Sequence, residues 1–325
     1  MRSQTIYQLF MLLAAALISS TGYSQKGLAD SVITKELLQQ YVQALAHDSM
    51  QGRYTGTRGC EKAADWVARE MIKIDLNSLD GGNSNFHHSY YIASGRDTIR
   101  AANIVGKIAG KISDRYILFT AHYDHVGDAN EQVLPQQVES SGSDKIYNGA
   151  NDNASGVAAL LALASYFKLL PQNSYTLLFV AFSGEEMGNV GSNIFVESFR
   201  DLKNIHQVIN LEMLGRFSNN RKKPFVTEGI NSYGLTRKLN RNLRQKDTTV
   251  TKVFFQYDKL PLENYFFRSD NFSFATKGVP ANSIMASSDS DSFYHTPSDE
   301  SQTLDYEAMT RLVKAIALAC TPLVR

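Results

Sequence analysis

The chain has 325 residues, with 33 Lys or Arg against 32 Asp or Glu and a formal net charge of +1. That balance supplies no basic face of the kind nucleic acid needs, so nucleic acid is not expected as a partner. With 43% hydrophobic residues the chain can bury one large core, and a single globular domain is expected.

At the N-terminus Arg2 precedes an apolar run over residues 6–18, followed by the small, polar stretch SSTGYSQ. This pattern predicts a secretory signal peptide over residues 1–24, with Gly22 and Ser24 at the positions a peptidase reads and the cut before Gln25. The apolar run is short for a membrane span, so no span is expected after cleavage. No Cys follows the cut, which argues against a lipid anchor. Residues 25–325 would form the catalytic domain of an exported protein, periplasmic or secreted. Losing residues 1–24 removes Arg2 and no acid, leaving 32 basic and 32 acidic residues. Cys60 and Cys320 match no metal spacing; an exported chain could oxidise them, but only if their Cα atoms lie within about 7 Å.

Residues 34–47 and 60–74 read as amphipathic helices joined by QGRYTGTRG, with the only Trp, Trp66, in the second. Strand and helix then alternate. Continuous apolar runs at 115–124 and 175–183 suit strands buried on both faces. Between them a helix is expected from 154 to about 168, with Val157, Leu160, Leu161, Ala164 and Phe167 at helical spacing. A short helix over 191–199 and a buried strand over 205–212 follow, and a last helix covers about 303–320. This order predicts an α/β fold in three layers, α/β/α, around a central, mostly parallel mixed sheet. Ligands in such sheets sit beyond the carboxyl ends of the strands.

The most unusual polar residues fall at those ends. The first strand closes on His122-Tyr123-Asp124, where residues two apart face the same way. His122 can then bind a metal while Asp124 accepts its other N–H; His125 should point the other way and is not expected to ligate. Before the central helix stands NGANDNASG, in which Asp152 and Asn153 occupy N-cap positions and Ala154, Ser155 and Gly156 make a slim first turn. Read alone, Asp152 is a helix cap. The second strand ends in Ser183-Gly184-Glu185-Glu186, whose adjacent acids project differently, so that one can bind a metal and the other stand over a water. Glu212 closes the third strand behind Val208, Ile209 and Leu211, where an acid needs a partner. His295 lies in the polar loop SSDSDSFYHTPSDE. Together His122, Asp152, Glu186, Glu212 and His295 offer nitrogen and oxygen donors without thiolate, which suits one or two zinc ions and exceeds what a single open zinc requires. A shared carboxylate would give each of two metals three protein ligands, with the metals about 3.5–4 Å apart.

The motifs HYDHVG, YNGANDNASG, FSGEEMGNVGS, NLEMLG, FRSDNFSFATKGVPA and FYHTPSDE, in this order and spacing, resemble the M28 family of zinc exopeptidases, secreted aminopeptidases in particular. The likeness extends to QGRYTGTRG and so covers nearly the whole chain after residue 24. It implies a zinc-exopeptidase, phosphorylase/hydrolase-like fold acting on peptide substrates. It also implies that His122, Asp152 and Glu212 bind one zinc, and Asp152, Glu186 and His295 the other. Asp152 would bridge the metals, Glu185 act as general base and Asp124 orient His122, with a cis bond from Asp152 to Asn153. Two positions depart from the family pattern. Glu212 stands where Asp is usual, which leaves the number of zincs open, and the family's Ser-Asp-His appears as Ser269-Asp270-Asn271, leaving Asp270 as a plausible pocket residue.

Three other readings share these residues. A glutaminyl cyclase would need a pocket closed around one small side chain, often with Trp. A carboxypeptidase would need a basic clamp, for which Arg216 and Arg268 are placed beside site motifs. A binding ectodomain would have lost catalysis while keeping the fold. Residues 128–145 read as a rim loop or a tolerated insertion, and residues 254–267 as aromatic core or pocket lining. The glycosylation-like Asn153-Ala154-Ser155 reads as chance.

Overall fold

The structure, a computed structural model, describes residues 24–80, 85–94, 97–133, 142–170, 173–217, 222–258 and 264–325. The expected signal segment therefore lies outside the described residues except at Ser24, and the 128–145 and 254–267 segments are described only in part. Three helices, α1 (Gln25–Val32), α2 (Lys35–Leu45) and α3 (Arg58–Lys73), precede a nine-stranded mixed sheet. Its strands are β1 (Asn77–Ser78), β2 (His87–Ser94), β3 (Asp97–Ile108), β4 (Ile112–His122), β5 (Tyr175–Phe182), β6 (Ile205–Glu212), β7 (Phe225–Val226), β8 (Gln256–Tyr257) and β9 (Ala281–Met285). Helices α4 (Ser155–Leu169), α5 (Val190–Ser198), α6 (Leu235–Lys246), α7 (Asn271–Ala275) and α8 (Tyr306–Cys320) are interleaved with them.

The strand order is β1-β3-β5-β4-β6-β9-β7-β8, with β2 paired to β3. The four central strands β5, β4, β6 and β9 run parallel, and the antiparallel pairings lie to either side of them. Side-chain alternation explains why β4 and β5 are apolar throughout. Phe119, Ala121, Phe179 and Ala181 pack into the core that holds α4 and α8, whereas Leu118, Leu178, Val180 and Phe182 pack against α5 and α7. Helix α4 is apolar on nearly every face, as a helix enclosed by the core must be. The predicted elements lie within about three residues of those observed; the β2–β3 hairpin, α6 and β9 extend the expected architecture.

Cys60 and Cys320 are buried, free thiols. Trp66 packs edge-on against Tyr41 of α2, with ring centroids 5.7 Å apart. Among the described residues no helix is long and apolar enough to cross a membrane.

Strand order decides where chemistry can sit. The chain leaves β4, returns through α4 to β5 on one side, then passes through α5 to β6 on the other side of β4. Connections on opposite sides of β4 open a crevice at the carboxyl ends of these strands.

Candidate metal centre

His122 ends β4, Glu212 ends β6, and Ser183–Glu186 follow β5, so three adjacent strands deliver side chains to that crevice. His122 Nε2 lies 3.1 Å from Glu212 Oε1 and 3.4 Å from Asp152 Oδ1. On the opposite side of Asp152, His295 Nε2 lies 3.1 Å from Asp152 Oδ2 and 3.2 Å from Glu186 Oε2. The two oxygens of Asp152 thus face two different donor groups.

Asp152 is held by the turn around it. Its backbone N–H and that of Asn151 donate to the Asp299 carboxylate at 3.0 Å, and the Arg216 guanidinium donates to the same carboxylate at 2.9 Å. Asn153 caps α4, its Oδ1 accepting from Gly156 N at 3.0 Å, and ties the turn to β6 by accepting from Met213 N and donating to Leu211 O. A Cβ on Gly156 would meet Leu211 O at 2.4 Å, so helix and strand approach closely only because this residue is glycine. The peptide bond from Asp152 to Asn153 is cis.

The donor set fits metal ions. His295 Nε2 is buried within reach of two carboxylates yet makes no hydrogen bond to either. Its separations match the edge of a coordination tetrahedron, about 3.3 Å for bonds of about 2.0 Å. Without metal, charge accumulates. Burial pushes Asp152 up, but the imidazoles of His122 and His295 beside it hold its carboxyl well below the usual range. Burial and Asp152 likewise raise Glu186, and the histidines outweigh them, bringing it to about 2. Burial lowers His295, yet Glu186 and Asp152 lift it to about 10. Burial also opposes the charge on His122, which Glu212 and Glu185 nevertheless hold well above the ordinary imidazole value.

Glu185 stands apart from these pairs. It is half-buried in the cleft wall, where loss of surrounding water raises its carboxyl well above the usual range, and Glu186, Glu212 and Asp270 push the same way against His122. Its backbone N–H donates to Asp124 Oδ1 at 3.3 Å, and Thr55 links Asp124 Oδ2 to the neighbouring Gly184 N. Asp124 was expected to take the His122 N–H on its carboxylate. Its backbone carbonyl is closer to Nδ1 at 3.2 Å, and the carboxylate stands 3.7 Å away, spent on Thr55 and Glu185.

Three further placements differ from the sequence reading. His125 was expected to point away because of strand alternation, but β4 ends at His122 and the chain turns. His125 Nδ1 consequently lies 3.0 Å from Glu186 Oε1. Arg216 is no open clamp: it is braced by Asp291, Asp299 and Thr303 and lies over the Phe293 ring. Asn271 spans Phe266 O and the Ser283 hydroxyl inside the fold. Asp270 is fully buried without a hydrogen bond, and burial raises it to about 7 against the pull of His122. Ser269 donates to Glu212 Oε2 at 2.7 Å, fixing the longer side chain that replaces the expected Asp.

Arg53 has no role in the sequence reading. Fully buried, it donates to the carbonyls of Leu45, Tyr123, Asn148 and Gly149, joining α2 to the segments that carry His122 and Asp152. The cleft above the centre is lined by Met213, Tyr265, Arg268, Ser269, Met285, Ser288, Asp289 and Tyr294. Arg268 bonds Asp289 at its rim.

Comparison with known proteins gives a consistent grouping. The model of Peptidase family M28 matches residues 103–320. A probable zinc metalloprotease of Pyricularia oryzae is 30% identical over 172 residues, covering 51% of this chain and 32% of that protein. The chain thus spans about a third of the length of such fungal relatives. A probable leucine aminopeptidase of Arthroderma otae is 24% identical over 293 residues, 87% of this chain and 70% of that protein. Among solved structures, a zinc aminopeptidase from Bacillus subtilis superposes with TM-score 0.68 at 16% identity, covering 90% of this chain and 96% of that one. The glutaminyl cyclase of Porphyromonas gingivalis does so with TM-score 0.69 at 16% identity, covering 90% and 99%.

Proposed function

Since the chain belongs to Peptidase family M28, we propose that it is a two-zinc exopeptidase that removes N-terminal residues from peptides. His122, Asp152 and Glu212 would hold one ion, and Asp152, Glu186 and His295 the other. When bound, the zinc pair supplies Lewis acidity to the scissile carbonyl and acidifies the attacking water. The remaining steps belong to the chain. Glu185, on the cleft wall near His122 and anchored through its backbone to Asp124, accepts the proton of the water and delivers it to the leaving amine. Asp152 keeps the two donor groups in register because the Asp299 carboxylate fixes its backbone.

One observation carries the choice of peptide end. Arg216 and Arg268, the cations placed to clamp a terminal carboxylate, are both engaged by carboxylates of the protein. Among the described residues that line the cleft, Arg268 is the one Lys or Arg, and Asp289 holds it, so no free cation faces a terminal carboxylate there. The cyclase reading lacks its Trp at the cleft, since Trp66 packs on Tyr41 in the N-terminal helices. A panel of free, amino-blocked and carboxy-blocked peptides, with and without chelator, tests the reading. Cleavage is expected only with a free amino end and without chelator; tolerance of an amino block would sink the assignment.

A second expectation follows from the imidazoles. His122 and His295 are both raised above neutrality without metal, so zinc must displace their protons and its affinity should fall as pH drops. Calorimetry of zinc binding at pH 7 in buffers of different ionisation heat should report proton release. Equal heats across buffers would contradict the ligand roles of both histidines.

A further inference from the structure

We propose that His125 is itself a protein ligand of the metal shared by Asp152, Glu186 and His295, giving that ion four protein donors and its neighbour three. The proposal rests on the two-metal reading above. His125 Nδ1, an oxygen from each of Asp152 and Glu186, and a His295 ring nitrogen all lie within 4.8 Å of one another. The Glu186 carboxylate is met on both sides, Oε1 by His125 Nδ1 at 3.0 Å and Oε2 by His295 Nε2 at 3.2 Å. His125 Nδ1 also stands 3.9 Å from Asp152 Oδ2, the oxygen that His295 faces.

The ring is placed firmly. It is fully buried, its centroid 5.5 Å from that of His295, and its backbone N–H donates to Arg53 O at 3.2 Å. Gly149, at φ +56°, makes room for it: a Cβ there would come within 2.4 Å of the imidazole. A glycine in the left-handed region pressed against a histidine ring fixes the direction of Nδ1 as well as the turn. Nε2 is buried without a partner whether Nδ1 ligates or merely donates to Glu186, so that atom does not choose between the roles. The convergence of two imidazoles and two carboxylates on one point does.

The asymmetry has a chemical meaning. A zinc with four protein ligands is closed, whereas one with three keeps a position for water or substrate. The open position then belongs to the ion of His122, Asp152 and Glu212. Glu185 reaches that ion's donors, since one of its oxygens is grouped within the same 4.8 Å limit with His122, and also with Glu186 of the other ion. His125 would thus help to hold the bridge in place, leaving the His122 side to face the reaction.

Proton NMR of the cobalt-loaded protein in water tests this, because each ligating imidazole contributes one exchangeable, hyperfine-shifted N–H resonance. Three are expected in the wild type and two in His125→Gln, and graded chelation of the zinc protein should strip one ion per chain before the other. Two resonances in the wild type, unchanged in His125→Gln, would overturn the ligand role and leave the two-metal reading standing. If the wild type takes up no cobalt or zinc, both fall. If His125→Gln does not fold, the wild-type count alone decides.

Discussion

Glu185→Gln is expected to leave a folded, metal-loaded protein whose kcat for a free-amino peptide is lower by about 10²- to 10⁴-fold, the range a positioned proton-transfer group supplies. Gln keeps the size of the side chain and cannot take up a proton. Glu185 is not one of the proposed ligands, and its backbone tie to Asp124 does not involve the side chain. Metal content by elemental analysis should therefore stay at the wild-type value while turnover collapses. If turnover remained within tenfold of wild type at full metal content, the general base would have to be sought elsewhere.

Asp152→Asn should cost both metals. Its oxygens serve different groups, Oδ1 toward His122 and Oδ2 toward His295. The amide nitrogen that replaces one of them offers no lone pair. Zinc should fall below one ion per chain and activity should be lost, whereas His122→Gln or His295→Gln should leave close to one ion. The same variant separates the bridge from a helix cap. Asn caps helices about as well as Asp, and losing a cap altogether costs only about 1 kcal/mol. A variant that kept both ions and its activity would contradict the bridging role of Asp152.

Much of this architecture was legible because burial leaves marks that composition can show. β4 and β5 are enclosed on both faces, so their apolar runs are uninterrupted, and polar residues at their ends stand out. The acids and imidazoles so exposed are those the crevice brings together. His125 was misplaced because strand alternation was extended past the end of β4, where the chain has already turned. Asp299 and Ser269 were missed for another reason. Each acts on a side chain far away in sequence, Asp299 on Asp152 and Ser269 on Glu212, and no local spacing announces such a partnership. Arg53 was the least legible, since a buried guanidinium satisfied only by carbonyls has no acidic partner in the sequence to betray it.

The reach of Arg53 bears on where the working unit of this protein begins. The stretch matched by the family model, residues 103–320, holds every proposed metal ligand. It does not hold Arg53, whose guanidinium gathers Asn148 and Gly149 with Tyr123, nor Thr55, which ties Asp124 to Gly184. An excised 103–320 fragment would carry the reactive groups and lack the clasp that assembles them. The link between α2 and α3 is in that sense part of the proposed metal site, although it contributes no ligand to it.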